Sequence, residues 1–285
     1  MPKRLAGKVA VITGGGGGIG GAIAEDMAAE GASVVVNDIG KDENGNSEAD
    51  NVVKKIKEAG GTAVANYDSI TTMAGGRKII QTAISNFGRI DILVNTAGFS
   101  RPGKAVEMSE ETWDEVIAVH LKGHFACSQP AAREMIKQKS GGRIITFCAG
   151  AGFVFPDVPL FGIGYATAKA GIVGFTAKLS GELKEHNITV NSIIPSAVTK
   201  GFPEKLPGVQ PPEFVPPIVV YLCTDEAKDI TGQFFYAGGG DVGIYDRPMQ
   251  RPATLYSKIG KWTVDELSRV IPNRLKSPPA HMPSD

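Results

Sequence analysis

The sequence predicts an α/β protein, a single domain built on a doubly wound sheet of about seven parallel strands. Short apolar runs rich in β-branched residues alternate along the chain with helix-compatible segments, and no linker-like seam or internal repeat interrupts them. This alternation favours parallel strands joined by helical crossovers. With 285 residues the chain can bury a sizeable core. We assign residues 1–240 to this domain and 241–285 to a C-terminal extension that packs on the body or on a partner subunit.

Composition and charge argue against several classes of protein. Hydrophobic residues make up 42% of the chain and charged residues 21%, as in an ordinary globular protein. Thirty basic residues balance thirty acidic ones without a long run of either sign, so neither nucleic acid nor an anionic membrane is predicted as a partner. No apolar run approaches the roughly 18 residues needed to cross a bilayer, and the apolar run near the start is too short for a signal peptide.

Cysteine and histidine usage indicates neither disulfides nor a metal. The three cysteines form no CxxC pair and are interpreted as reduced thiols, which predicts a cytoplasmic protein; they are Cys127, Cys148 and Cys223. His120 and His124 stand four residues apart. No cysteine or acidic partner is placed with them and Gly123 weakens the helix between them, so no metal site is predicted.

A glycine-rich turn near the start indicates a dinucleotide site. The buried strand 8–13 runs directly into GGGGGIG, and a helical segment (22–30) and a second buried strand (34–38) follow. Glycines let a phosphate approach the backbone, and the amino end of the helix offers free N–H groups and a partial positive charge. The alternative is a flexible glycine-rich loop, which the register of strand, turn and helix disfavours.

Asp38 predicts which dinucleotide binds. It lies at the tip of the second strand, twenty residues after Gly18. There a carboxylate can accept hydrogen bonds from the hydroxyls of an adenosine ribose, and it would repel a 2′-phosphate. The predicted cofactor is therefore NAD rather than NADP.

The alternation of strands and helices continues to about residue 240. Ser109 is predicted to cap a helix that bends or breaks near Gly123 and Pro130. Small residues after the fourth strand, in Asn95-Thr-Ala-Gly98, either let a flat ring approach the backbone or form a tight turn. The remaining predicted elements are strands at 62–66, 90–94, 144–147, 188–194 and 233–236, and helices at 52–59, 73–87 and 263 onward.

A tyrosine and a lysine follow the fifth strand at helical spacing. Tyr165 and Lys169 stand four residues apart at the start of a helix-compatible segment and would share one helix face. An ammonium beside a phenol favours the ionised phenol, which brings its pKa closer to neutral pH. Such a pair can exchange a proton with an alcohol or ketone oxygen, although this spacing also arises by chance.

Four separated motifs together resemble the short-chain dehydrogenase/reductase family, which has a Rossmann-type fold. They are Thr13-Gly14-xxx-Gly18-Ile19-Gly20, Asp38, Asn95-Thr-Ala-Gly98 and Tyr165-xxx-Lys169. The resemblance covers about residues 5–240. Within the family, VVVNDIG, GGTAVANYDSI, FGRIDILVNTAG and VHLKGHF look like the (3R)-hydroxyacyl-CoA dehydrogenase part of peroxisomal multifunctional enzymes and its bacterial relatives.

The resemblance implies a role for each matching residue. Tyr165 would be the general acid/base, and Lys169 would bind the nicotinamide ribose and lower the pKa of Tyr165. Asp38 would bind the adenosine ribose. Other positions would lie along the cofactor: Gly14, Gly18 and Ile19 at the pyrophosphate, Asp68 and Ser69 at the adenine, Asn95, Ala97 and Gly98 along its length, and Pro195, Val198 and Thr199 at the nicotinamide amide.

Two positions depart from the family pattern. His120 stands where the family usually has an Asn that helps to hold a proton-relaying water, so a relay stays possible. Ala149 stands where the family has a Ser that hydrogen-bonds the substrate oxygen, and it has no donor. Cys148 beside it should point to the opposite face, and a thiol is a weak donor. Losing one oxyanion donor typically costs about 10²–10³ in rate.

An apolar loop precedes Tyr165. Residues 153–161 include Phe153 and Phe155 and are interpreted either as the wall of a bulky apolar substrate site or as a loop buried at a subunit interface. The resemblance implies a small-molecule alcohol or ketone, a hydroxyacyl-CoA or a steroid-like compound, and a homodimer or homotetramer.

Three functions remain open at this stage. The first is an NAD-dependent alcohol dehydrogenase or ketoreductase in which Tyr165 is the acid/base. The second is a weakened or inactive NAD-binding partner subunit, because of Ala149. The third is a lyase or dehydratase that uses the same tyrosine.

Overall fold

A computed structural model describes residues 3–152, 161–199 and 210–246 of the chain. Its strands are β1 (Val9–Thr13), β2 (Ser33–Asn37), β3 (Thr62–Asn66), β4 (Ile92–Asn95), β5 (Gly142–Phe147), β6 (Ile188–Ser196), β7 (Phe234–Gly238) and β8 (Asp241–Ile244). Its helices are α1 (Gly18–Ala29), α2 (Glu48–Glu58), α3 (Met73–Phe87), α4 (Glu110–Ile117), α5 (Gly123–Gln138), α6 (Ile163–Leu183) and α7 (Pro216–Cys223). No helix in these ranges is long and apolar enough to span a bilayer.

The strands form one sheet in the order β3-β2-β1-β4-β5-β6-β7-β8. The first seven are parallel and β8 is antiparallel to β7. The chain starts in the middle of the sheet, builds outward to β3 and then returns to pair β4 with β1. This reversal creates a crevice at the carboxyl ends of β1 and β4, where ligands bind in open α/β sheets. The predicted doubly wound α/β fold is confirmed.

Alternating side chains of the strands fill two apolar layers, one on each face of the sheet. On β1, Ala10 and Ile12 pack with α1 and α7, whereas Val9 and Val11 pack with α3 and α5. Because successive strand residues point to opposite faces, a strand that is apolar throughout must be covered on both sides. The β-branched runs of the sequence therefore require helices on both faces.

Three helices begin at the side-chain caps that satisfy their first N–H groups. Ser47, Thr72 and Ser109 accept hydrogen bonds from the N–H groups of Asp50, Gly75 and Thr112 at the starts of α2, α3 and α4. The predicted cap at Ser109 is thus observed, and it fixes where α4 leaves the loop that follows β4.

The connection between α4 and α5 differs from the predicted break. Residues Ala118–Lys122 form a π-helical segment, and the Gly123 N–H reaches back to the Ala118 carbonyl. The helix then resumes as α5 and continues through Pro130. A π segment inserts one extra residue into the turn and commonly marks a functional site. Here it carries His120.

The sheet extends beyond the last predicted strand. β8 is antiparallel to β7, with Ile244 opposite Phe235 and Asp241 opposite Gly238. It lies in the part of the chain that we assigned to the C-terminal extension. The predicted helix from residue 263 and the rest of that extension from 247 lie outside the described residues. The position of the domain boundary stays a prediction.

Candidate active site

The predicted site residues converge on one edge of the sheet. Gly14 follows β1, Gly98 follows β4, Ala149 follows β5 and Thr199 follows β6. These strands are parallel neighbours, so their carboxyl ends meet at the same edge. Tyr165 and Lys169 enter from the first two turns of α6, and His120 enters from the π segment.

The glycine turn after β1 is built for close backbone approach. Gly14 has φ +67°, and a Cβ there would lie 2.6 Å from the Ala97 Cα. Helix α1 starts with Gly17 as its cap residue, without a capping side chain and without an acidic residue in its first turn. Its first N–H groups and its positive dipole end are therefore available to an anion. The methyl group of Thr199 lies 3.6 Å from where a Cβ of Gly18 would be, so the end of β6 borders this turn.

Asp38 fastens the glycine turn to the end of β2. Its Oδ2 accepts the Gly16 N–H at 3.0 Å and its Oδ1 accepts the Gly40 N–H at 2.8 Å. A carboxylate has about four acceptor positions, so two remain for hydroxyl donors. The Asp38 carboxylate therefore holds the turn and keeps acceptor positions for a ligand.

The residues predicted at the adenine end are held by polar contacts. The Asn37 side chain donates to the Asp68 carbonyl at 2.9 Å, and Lys78 lies 3.5 Å from the Asp68 carboxylate. The Ser69 hydroxyl lies 3.0 Å from that of Thr71. The segment after β3 therefore has a defined conformation at the edge of the crevice.

The segment after β4 lies against β1 and α5. The buried Asn95 side chain donates to the Ser128 hydroxyl at 3.2 Å, so it binds α5 instead of projecting into the crevice. A Cβ at Gly98 would clash with the imidazole of His120. Only glycine fits at this position, and its absence of a side chain lets the backbone and the imidazole pack directly against each other.

Three side chains surround the ring of Tyr165. The His120 ring meets it edge-on, with centroids 4.9 Å apart and planes at 76°. Phe161 stacks on it at 4.8 Å and 13°. The Lys169 Nζ lies 5.5 Å from the ring centroid. The structure thus brings His120 to the tyrosine–lysine pair, from which it is more than forty residues distant in the sequence.

Lys169 binds a backbone carbonyl at the end of β5. Its side chain is 4% exposed and its Nζ donates to the Phe147 carbonyl at 2.8 Å. Burial lowers the pKa of Lys169 to about 8, with Cys148 opposing the shift. The amine of Lys169 therefore loses its proton at mildly alkaline pH.

The pKa of Tyr165 is raised above its usual value of 10.0, mainly by burial and then by Cys148. This corrects the expectation that Lys169 would lower it. The amine of Lys169 is directed at the Phe147 carbonyl, and burial disfavours the phenolate.

His120 is a neutral, buried imidazole. Its Nε2 lies 2.7 Å from the Phe99 carbonyl and 3.1 Å from the Phe99 N–H, and its Nδ1 has no hydrogen-bond partner among the described residues. Burial, followed by the charge of Lys169, lowers the pKa of His120 to about 3. Within the described ranges no group of three or more potential metal ligands occurs.

The end of β5 holds Ala149 and Cys148. Ala149 is partly buried and brings no donor to the crevice. The Cys148 Sγ lies 3.1 Å from the Lys169 carbonyl, and burial raises the pKa of this thiol to about 11. The thiol therefore lies beside the tyrosine–lysine pair as a protonated, weak donor. Phe153 and Phe155 lie outside the described residues.

Sequence reasoning missed two contributors to this site. Phe99 fixes the His120 ring through its backbone, and its only signal was its position directly after the Asn95-Thr-Ala-Gly98 motif. His124 was considered only as a metal ligand, yet its Nε2 accepts the Phe147 N–H at 3.4 Å. Neither backbone contact has a signature in the sequence.

Comparison with known proteins identifies the family. The family model described as short chain dehydrogenase matches residues 8–206. A solved short chain dehydrogenase from Mycobacterium avium superposes with a TM-score of 0.86 at 38% identity, covering 95% of this chain and 96% of that one. The chain belongs to the short-chain dehydrogenase family, and it is an oxidoreductase of the type that uses a nicotinamide cofactor.

Curated relatives show the same likeness over most of the chain. A peroxisomal hydratase-dehydrogenase-epimerase of Neurospora crassa is 42% identical over 84% of this chain and 27% of its own length. The peroxisomal multifunctional enzyme type 2 of Mus musculus is 39% identical over 85% of this chain and 33% of its own length. The chain thus spans about a quarter to a third of these two relatives. A 3-oxoacyl-(acyl-carrier-protein) reductase of Thermotoga maritima is 34% identical over 84% of this chain and 99% of that protein.

Proposed function

We propose that the protein is an NAD-dependent oxidoreductase that transfers a hydride between the nicotinamide and a secondary alcohol or ketone of the 3-hydroxyacyl-CoA type. The observation that carries this proposal is the cluster of Tyr165 with the buried Lys169 and His120 at the sheet edge that also holds the glycine turn. The substrate class is supported by relatives, one of which is named for a 3-oxoacyl group. A steroid-like alcohol is the second substrate to test.

The cofactor fits the residues at the crevice. The uncapped amino end of α1 suits the pyrophosphate, and Asp38 suits an unphosphorylated adenosine ribose. The nicotinamide supplies hydride acceptor and donor chemistry. Asp68 and Ser69 would flank the adenine, and Pro195, Val198 and Thr199 would cover the nicotinamide end.

Tyr165 exchanges the proton at the substrate oxygen. During oxidation, the alcohol proton passes to the phenolate oxygen of Tyr165 while the carbinol C–H bond gives up its hydride. During reduction, the Tyr165 hydroxyl donates that proton to the forming alkoxide. Because burial raises the pKa of Tyr165, alcohol oxidation should speed up as pH rises and more phenolate forms. The neutral His120 ring and the amine of Lys169 both lie beside the Tyr165 ring as its polar neighbours.

A weakened or inactive NAD-binding subunit is the second candidate. It is favoured by one observation: Ala149 offers no donor to a substrate oxygen, and the neighbouring Cys148 thiol bonds to the Lys169 carbonyl. A lyase or dehydratase using Tyr165 is the third and has no observation of its own.

The test is NADH formation with a panel of 3-hydroxyacyl-CoA esters, apolar secondary alcohols and steroids, together with the reverse reaction. We expect turnover on at least one acyl-CoA ester, loss of about 10³-fold or more in Tyr165→Phe, and a gain of about 10–100-fold in Ala149→Ser through a restored oxyanion donor. NADH binding measured by fluorescence should be unchanged in both variants.

Two outcomes would reject this function. One is NADH binding without turnover on any substrate, in the natural protein and in Ala149→Ser alike, which would favour the inactive subunit. The other is an unchanged rate in Tyr165→Phe, which would remove the proposed acid/base.

Assembly and location are proposed on the same basis. We expect a homodimer or homotetramer, measured by light scattering coupled to size-exclusion chromatography. The cytoplasmic location expected from the cysteines stays a prediction, and two of the relatives are named peroxisomal. Cell fractionation with an antibody to this chain distinguishes the two compartments.

A further inference from the structure

Phe147 ends β5 at a point where the neighbouring strand has already left the sheet. β4 pairs with β5 only as far as Asn95, which lies opposite Thr146. The chain then turns toward β1, where the Thr96 N–H donates to the Thr13 carbonyl at 3.2 Å. The last residue of β5 therefore has no strand beside it on the β4 side.

Both backbone groups of Phe147 face that gap. In a parallel strand, the N–H and C=O of every second residue point to the same neighbour. The Arg143 N–H donates to the Asp91 carbonyl on the β4 side, whereas the Cys148 N–H donates to the Ile193 carbonyl on the β6 side. Phe147 shares the direction of Arg143, so its N–H and its carbonyl must find partners outside the sheet.

Two buried side chains take these groups. The His124 Nε2 accepts the Phe147 N–H at 3.4 Å, and the Lys169 Nζ donates to the Phe147 carbonyl at 2.8 Å. His124 is 1% exposed and Lys169 is 4% exposed. The backbone of one residue, Phe147, thus connects an imidazole on α5 with the amine on α6 that faces Tyr165.

His124 is neutral, as this contact requires. Burial first, and then the charge of Lys169, lower the pKa of His124 well below 6.5, so the ring is neutral and one nitrogen accepts. Burying an imidazole costs free energy that an apolar side chain of similar size would not, which indicates that His124 serves as a hydrogen-bonding group.

We propose that His124 is a positioning residue for the reaction: by holding the Phe147 N–H it fixes the Phe147 carbonyl, and this carbonyl holds the amine of Lys169 beside Tyr165. The catalytic consequence rests on the proposed function, whereas the structural arrangement does not.

The arrangement determines how Lys169 titrates. Among the described residues, the titratable groups that face its amine are Tyr165 on α6, Cys148 at the end of β5, His120 on the π segment and His124 on α5. None of these four is a carboxylate, and the Phe147 carbonyl favours the ammonium by accepting a hydrogen bond from it. If this carbonyl is no longer fixed, the pKa of Lys169 falls further below about 8.

The experiment compares His124→Gln, His124→Asn and His124→Leu. Glutamine places an acceptor at the same distance along the side chain as Nε2, asparagine is one bond shorter, and leucine has no acceptor. The pKa of Lys169 is read from its ¹³Cε signal in protein with labelled lysine, assigned with Lys169→Arg. We expect the natural protein and the Gln variant to titrate together, and the Asn and Leu variants to titrate about one pH unit lower, as for a lost hydrogen bond to a charged group.

Loss of the Lys169 ammonium should limit the rise of kcat with pH, and this limit should move to lower pH by the same amount in the Asn and Leu variants, while KM for NAD changes less than threefold. His186→Leu, at a partly exposed histidine outside the site, is the control and should leave both profiles unchanged. Equal Lys169 titration in all His124 variants with a cooperative thermal transition would overturn the proposal. If the natural protein turned over no substrate, the proposed function would fail, and the titration would still decide the role of His124.

Discussion

At the scale of single residues, the geometry of the site depends on which hydrogen-bond partner each polar side chain finds, and residue type alone does not determine that partner. Asp38 was predicted as a ribose ligand, and in the structure it also fastens the glycine turn through Gly16 and Gly40. Lys169 was predicted to lower the pKa of Tyr165, and it instead lies on the Phe147 carbonyl. The same residue types therefore have additional contacts that only the tertiary structure determines.

Asp38→Ala should weaken NADH binding by at least about tenfold and abolish the preference over NADPH that we propose, because it removes the proposed ribose acceptor and its negative charge. The measurement is fluorescence titration with each cofactor. Asp42→Ala is the matched control: Asp42 also accepts two backbone N–H groups, from Asn44 and Asn46, in an exposed loop away from the turn. Tighter NADPH than NADH binding by the natural protein would contradict our interpretation of Asp38.

The sequence predicted the identity of the main site residues but not how they contact one another. Tyr165, Lys169 and His120 were separated by up to about fifty positions, and the βα alternation was enough to bring them to one edge. The orientation of His120 depends on the backbone of Phe99, and that of Lys169 depends on the backbone of Phe147. Backbone acceptors are the same for every residue type, so no residue pattern could have indicated them.

At the scale of elements, close backbone contacts fix how the helices pack. Gly76 on α3 faces the Ala126 carbonyl on α5, and a Cβ there would clash with it. Gly181 on α6 has open space where a Cβ would be. The two glycines look alike in the sequence, yet they differ in what surrounds them.

Gly76→Ala should lower the free energy of unfolding by about 1–3 kcal/mol, because α3 and α5 must move apart. Gly181→Ala, its control in a helix, should raise it by about 0.5–1 kcal/mol through better helix propensity. Urea denaturation followed by circular dichroism measures both. A neutral Gly76→Ala variant would show that α3 can shift without loss of packing.

Element boundaries were predicted best where the pattern was strongly apolar. The runs that became β1 and β2 are buried almost throughout, and their limits were close to those observed. β8 was not predicted, because Asp241–Ile244 is short, contains glycine and is exposed at every position. The π segment was predicted only as a bend near Gly123, since the extra residue depends on packing around His120.

At the scale of the whole molecule, the buried imidazoles link stability to pH. His120, with a pKa of about 3, and His124, with a pKa well below 6.5, stay neutral when folded but take up protons near pH 6.5 when unfolded. Below that pH the unfolded chain binds more protons, so the free energy of unfolding falls as pH falls.

The double variant His120→Asn/His124→Gln should lose less stability on acidification than the natural protein, because neither replacement titrates. Between pH 7 and 5 we expect the natural protein to lose at least about 2 kcal/mol more, at up to about 1.4 kcal/mol per pH unit for each histidine. Urea titrations at pH 7, 6 and 5 give the comparison. Parallel stability curves for the two proteins would show that the imidazoles protonate in the folded state.

After β3 the chain returns to the middle of the sheet, where β4 pairs with β1, and this topology has a consequence for the order of folding. The crevice needs the end of β1 and the ends of β4, β5 and β6, so it is incomplete until residues as far as Thr199 have joined the sheet. Pairings between distant parts of a chain form late in folding. During synthesis on the ribosome and during refolding in vitro, we expect secondary structure to form first and the ability to bind the cofactor to form last.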